Sequence, residues 1–419
     1  MKRALIVASI LLTCSVYAQE TINYDESMVP TFIIPDMMVC NDGTRVTDVM
    51  TWEQKRRPEI MEYFFSQEYG RTRYEKIPVS YEDISRDRKA LGGKATCRQV
   101  RFVFSNGEKK LEAIAMMMIP NKRKGKVPVF VAYNFKGNHS TVDDPAIEYS
   151  PNFGLVKKPD SPDWERGCQK SRWCFEKIID RGYAVITMCY HDIYPDAHGQ
   201  EMTDHSIVSL FPDYLERGTF SDAWGAIGAW AWGSSRIVDF LETQKWADLD
   251  KIAIMGHSRQ GKAALWAGAQ DERFKVVISN DSGCSGAAMA KRVFGENVAR
   301  ITRVFDWWFC PAYSFYSDNE AAMPFDQHEL IALMAPRHVY VASAQEDRWA
   351  DPKGEFLATS LASPAFELYG MEGLGTLEWP GIHQPIMHDV GYHIRAGVHD
   401  VTDYDWERYM DFCDRCFGR

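Results

Sequence analysis

The chain has 419 residues, 58 acidic against 48 basic side chains, and a formal charge of −10 at pH 7, with 45% of its residues hydrophobic. That composition supplies a large apolar core and excludes a disordered or collagen-like chain; the acidic balance argues against nucleic acid as a partner.

The chain opens MKRALIVASILLTCSVYAQE, with Lys2 and Arg3, an apolar stretch, and Val16-Tyr17-Ala18 ahead of Gln19. This is the pattern of an export signal over 1–18, too short for a membrane span. It predicts a periplasmic or extracellular protein. Lipid attachment at Cys14 is the alternative, which Thr13 fits poorly. Losing Lys2 and Arg3 takes the charge from −10 to −12 (−10 − 2), which also disfavours anionic membranes. Nothing further along is apolar enough to span a bilayer. Nine cysteines follow Cys14; export permits disulfides, and Cys284 with Cys310 is a candidate pair.

Residues 19–90 form an extension packed on the core, with a charged helical stretch at TWEQKRRPEIMEYFFSQEYG. The main domain covers 91–419. LEAIAMMMIP is a strand ended by Pro120, KRKGK (122–126) a solvated basic turn, and VPVFVAYNF a buried strand leading to a loop at Gly137-Asn138. WCFEKIIDRG is a helix stopped by Gly182, and YAVITMCYHD the next strand. A long helix capped by Ser221 follows, packing Trp224, Ile227, Trp230 and Ile237 at helical spacing. DKIAIMG, FKVVISND, RHVYVASAQED and VGYHIRAGVHD are further strands, with a helix from Ser258. Strands alternating with helices imply an α/β protein, a mostly parallel sheet with helices on both faces.

Reactive groups in such folds sit in loops at the carboxyl ends of strands. That places Ser258, Asp281, Glu346 with Asp347, and His399 as candidates, in the order serine, acid, histidine of an α/β-hydrolase, a three-layer α/β/α sandwich. A serine hydroxyl becomes nucleophilic when an imidazole takes its proton, and the acid fixes the imidazole tautomer. His393 alternates with apolar residues and reads as packing. His383 and His388 are set aside; His388-Asp389 resembles part of a metal site, but no second cluster completes it, so no metal or cofactor is expected. MGHSRQGK departs from G-x-S-x-G, since its second glycine comes one place late, at Gly261. Arg259 stands at a helix start, where the dipole disfavours a cation. There its charge can stabilise a tetrahedral oxyanion.

GHSRQGK, DERF, NDSGCSG, FGENVARI, APRHVYVASAQEDRWADPKGEF and GYHIRAGVHDVTDYDW together resemble the bacterial branch of the glucuronoyl esterases, carbohydrate esterase family 15, over roughly 90–412. The late glycine is a trait of that family. The resemblance implies Ser258 as nucleophile, His399 as general base and Arg259 as oxyanion donor. It also implies Lys262, Glu296 and Trp349 as contacts to the sugar. Fungal relatives carry a glutamate where Asp281 stands, whereas many bacterial relatives use an acid after the penultimate strand. Asp347 is therefore the favoured acid, with Asp281 and Glu346 as alternatives. His257 replaces a fungal cysteine and reads as structural. The implied substrate is an ester of (4-O-methyl-)glucuronic acid, such as the lignin linkage of glucuronoxylan, cleaved by a monomer. An acetyl xylan esterase, or a weakly active carbohydrate-binding relative, is the rival reading.

Overall fold

Ten strands form one sheet: β1 (Val79–Ala90), β2 (Ala95–Ser105), β3 (Lys110–Pro120), β4 (Val127–Asn134), β5 (Ala184–Cys189), β6 (Ala247–His257), β7 (Val276–Asn280), β8 (His338–Ala344), β9 (Ile386–Met387) and β10 (Val390–Arg395). Their spatial order is β1-β2-β3-β5-β4-β6-β7-β8-β10-β9. The run from β5 to β10 pairs in parallel, while β1-β2-β3 joins β5, and β9 joins β10, antiparallel. The computed structural model describes residues 22–73, 75–157, 164–211 and 221–419. The leader and Cys14 lie outside the described residues.

The central strands are buried on both faces, and successive side chains feed two cores. In β4, Val129, Val131 and Tyr133 join one core, and Phe130 and Ala132 the other. In β6 the split is Ile252 and Ile254 against Ala253 and Met255. This is why these strands read as continuous apolar runs. Helices Ala226–Glu242 and Arg259–Gln270 cover the first face, and Phe175–Asp180 and Asp403–Cys416 the second. The result is the expected α/β/α sandwich.

Helical residues 49–67, with a π-helical turn at Trp52–Arg56, lie where the charged helical stretch was expected. Trp52, Ile60, Phe64 and Tyr69 enter the first core, and buried Arg56 pairs with buried Glu329. β1 falls within the residues assigned to the extension and forms an edge of the sheet. Trp224, Ile227, Trp230 and Ile237 are buried as expected.

Two expectations are corrected. Ser221 does not cap the long helix, which starts at Ala226 after Gly225. Hydrogen bonds from Arg71 N–H to the Asp222 carbonyl (2.8 Å) and from Gly225 N–H to the Tyr69 carbonyl (3.2 Å) hold 222–225 extended against the chain at 69–71, which delays the helix. Cys284 and Cys310 are free thiols. Cys284 Sγ lies 3.7 Å from the Ser285 hydroxyl and Cys310 Sγ 3.8 Å from the Ser66 carbonyl, so the two face different partners.

Candidate active site

β6 runs directly into the helix Arg259–Gln270 through Ser258, whose backbone (φ 58°, ψ −131°) lies in a region that non-glycine residues rarely occupy. The strain is held by neighbours: Ser258 N–H donates to the Asn280 carbonyl at the end of β7 (2.8 Å), and Gly261 N–H closes on the Ser258 carbonyl (2.8 Å). The unusual glycine spacing follows from packing. A Cβ at Gly256 would sit 1.8 Å from the Gln260 carbonyl oxygen, and one at Gly261 2.7 Å from Ser282 Cβ. At Gln260 the backbone turns toward Gly256, so the residue that must be small against β7 is the third after the serine. The first N–H groups of a helix have no intrahelical acceptor. Ser258 is thus presented beside free backbone donors.

Ser258, Arg259, Lys262, Asp281, Glu296, Asp347, Trp349 and His399 line one cavity of about 350 Å³, with Phe305 and Trp308 completing a wall. His399 follows β10 and directs Nδ1 at Asp347 Oδ2, 2.6 Å away. Glu346, by contrast, is exposed and does not line the cavity. Asp281 lies close by: it, Asp347 and His399 offer atoms within 4.8 Å of one another. Its carboxyl, however, reaches Arg395 only at 3.5 Å, and Oδ1 has no hydrogen-bond partner. Burial, reinforced by the nearby Glu355 and Asp347 carboxylates, drives its pKa well above the usual carboxylate range. Glu355 lies in the same buried layer, accepting from the Ser282 and Gly283 N–H groups and the Ser343 hydroxyl, and burial pushes it up to about 8.

His257 is buried, with Nδ1 2.5 Å from Asn280 Oδ1 and its ring 4.5 Å from that of His399. Burial first, then the neighbouring His399, keeps its pKa well below the usual imidazole value, so it stays neutral and packs against the His399 ring. His393 is fully buried between Tyr340 and Asp405. His388 and Asp389 are engaged with the Gly373 carbonyl and the Glu372 N–H, respectively.

In the same cavity, buried Lys262 donates to the Ser282 carbonyl and stands 4.0 Å from Glu296. Burial lowers the pKa of Lys262 and raises that of Glu296, opposing the attraction between them. Glu296 and Trp349 come from different loops joined by a hydrogen bond from Glu296 N–H to the Trp349 carbonyl (2.9 Å). The N-terminal segment crosses the same loops. The Asn23 carbonyl accepts from Gly295 N–H, Glu26 pairs with Arg292 and Lys353, and Arg348 lies over the Tyr24 ring.

Sequence reasoning missed Asp196, Phe305, Trp307 and Trp308. Asp196 lies beyond the carboxyl end of β5, where the strand-end rule would have found it; the aromatic residues come from a loop with no periodic signal.

A strained serine at a strand-to-helix turn, sharing one cavity with an imidazole paired to a carboxylate at the carboxyl edge of a parallel sheet, is the arrangement of the serine hydrolase class on an α/β-hydrolase sheet. Comparison with known proteins narrows it. The family model described as "Glucuronyl esterase, fungi" matches residues 173–370. Carbohydrate esterase MZ0003, from an unknown prokaryotic organism, is 41% identical over 98% of this chain and 96% of its own length. Two solved structures superpose with TM-scores of 0.85 over 94% of this chain and 100% of theirs. They are a promiscuous CE15 esterase from a marine bacterial metagenome (39% identical) and a glucuronoyl esterase from Solibacter usitatus (40%). The chain belongs to the glucuronoyl esterase family, carbohydrate esterase family 15.

Proposed function

We propose that the protein is a serine-type carbohydrate esterase that hydrolyses esters of (4-O-methyl-)glucuronic acid, such as those joining lignin alcohols to glucuronoxylan. The observation that carries this reading is one cavity lined both by hydrolytic groups (Ser258, His399 with Asp347, Arg259) and by polar and aromatic groups suited to a sugar (Lys262, Glu296, Trp349). An acetyl group would have no use for the buried Lys262 and Glu296; sugar hydroxyls do, as acceptor and donor partners.

In the mechanism, Ser258 Oγ attacks the uronate carbonyl carbon as His399 takes its proton, and Asp347 stabilises the imidazolium through Nδ1. The tetrahedral oxyanion is met by Arg259 and by backbone N–H at the start of its helix. His399 then protonates the departing alcohol as the C–O ester bond breaks, leaving a glucuronoyl ester on Ser258. Water, deprotonated by His399, attacks that ester, and the proton returns to Ser258 as free uronic acid leaves. No cofactor or metal is required by these steps.

Among the described residues no helix is long and apolar enough to cross a membrane. Export after removal of 1–18 fits a polymeric plant substrate, and a monomer suffices because one chain supplies every group named.

The test is kcat/KM on benzyl glucuronate against p-nitrophenyl acetate, with Ser258→Ala as blank. A strong preference for the glucuronate ester, abolished in the blank, is expected. Preference for the acetate would move the protein to another esterase class.

A further inference from the structure

A cation in the first turn of a helix is disfavoured by the dipole, and burial adds to the cost, so something must hold Arg259 where it stands. Its Nη1 donates to Asp196 Oδ2, and the Asp196 side chain is 1% exposed. The same carboxylate collects three further donors: Tyr190 hydroxyl on Oδ2 (2.8 Å), and the indole N–H groups of Trp307 (3.0 Å) and Trp308 (2.7 Å) on Oδ1. The Arg259 guanidinium lies 4.8 Å from the Trp308 ring centre and 5.7 Å from that of Phe305, and those two rings stack at 3.9 Å. Asp196 is itself anchored, since its N–H donates to His191 Nδ1 (3.0 Å). Burial alone would push its carboxyl up, but Arg259, His191 and the Trp308 donor outweigh that and hold it below the usual range, so it remains a carboxylate.

We propose that Asp196 is a positioning residue of the esterase site: one buried carboxylate fixes both Arg259 and Trp308 in the cavity wall, tying down Nη1 so that the other guanidinium N–H groups are held ready for the oxyanion. This rests on Arg259 being the oxyanion donor. The geometry explains why a carboxylate is needed. Four donors converge on two oxygens, and an amide would turn an NH2 toward either Arg259 or the indoles, setting donor against donor. A displacement of about 1 Å in such a group costs on the order of 100-fold in rate.

The experiment is a double-mutant cycle with benzyl glucuronate on Asp196→Asn, Arg259→Ala and the double variant, with thermal unfolding of each. Asp196→Asn is expected to lower kcat about 10–100-fold with KM changed less than about threefold. In the Arg259→Ala background it should cause no further loss of kcat, because the oxyanion donor that it positions is gone. Losses that multiply, or wild-type kcat in Asp196→Asn while Arg259→Ala is impaired, would overturn the proposal alone. Unchanged kcat in Arg259→Ala would remove the oxyanion reading and this one with it. If Asp196→Asn does not fold, Asp196→Glu keeps the charge and shifts it by one methylene. Its kcat should drop only when Arg259 is present, and an equal drop in both backgrounds would count against the proposal.

Discussion

Asp347 and Asp281 both lie near the His399 imidazole, and they differ in the company their carboxyls keep. Asp347 accepts a short hydrogen bond from the His399 ring, whereas Asp281 has one oxygen without a partner and is pushed toward its neutral form by burial beside Glu355 and Asp347. A neutral acid cannot stabilise an imidazolium as a carboxylate does. Asp347→Ala is therefore expected to lower kcat roughly 10³-fold or more. Asp281→Asn, which copies the neutral form, should stay within about tenfold of wild type, and exposed Glu346→Ala should have no effect. Steady-state kinetics on benzyl glucuronate rank the three. A loss in Asp281→Asn matching that in Asp347→Ala would move the acid role to Asp281.

At the scale of elements, the turn at Ser258 is held by contacts to β7 and the loop after it as well as by its own glycines. Gly261→Ala would place a Cβ 2.7 Å from Ser282 Cβ and 3.0 Å from Ser279 Oγ, against a helix that cannot back away without moving Ser258. Overpacking of this kind costs about 1–3 kcal/mol, so Gly261→Ala should unfold at lower denaturant and lose activity together; an unchanged midpoint would mean the helix can shift. The spacing of Gly256, Ser258 and Gly261, the apolar runs of β4 to β8 and the strand-end placement of Ser258, Asp281, Asp347 and His399 were legible in the sequence, because each is a local or periodic pattern; the preference for Asp347 among the acids came from the resemblance. Asp196 was legible only as an acid beyond a strand end, since its role depends on Arg259, Trp307 and Trp308 arriving from two other segments. The late start of the long helix was not legible, since it is set by hydrogen bonds to residues 69–71. The separation of Cys284 from Cys310 was hidden for the same reason, since loop paths, not spacing, decide which thiols meet.

Across the whole molecule, buried carboxyls set the response to pH. Burial pushes Glu68 and Glu355 from an ordinary value of 4.5 up to about 8. A carboxyl with a raised folded pKa holds its proton more tightly in the native state. The stability it lends is full below about pH 4.5 and is lost as the pH rises through 8. The melting temperature should accordingly fall between pH 6 and pH 9. Glu355→Gln keeps the acceptor for Ser282 and Gly283 and a donor toward Ser343, so it should shrink that fall; a fall as large as wild type would remove Glu355 from the account.

The N-terminal segment has a practical consequence. Asn23 to Glu26 crosses the loops bearing Glu296 and Trp349, so this end of the described chain lies beside two residues that line the cavity. Arg419, against Arg181 and Asp414, lies by the start of β5 at the opposite end of the sheet. Affinity tags and fused modules belong there, away from the cavity.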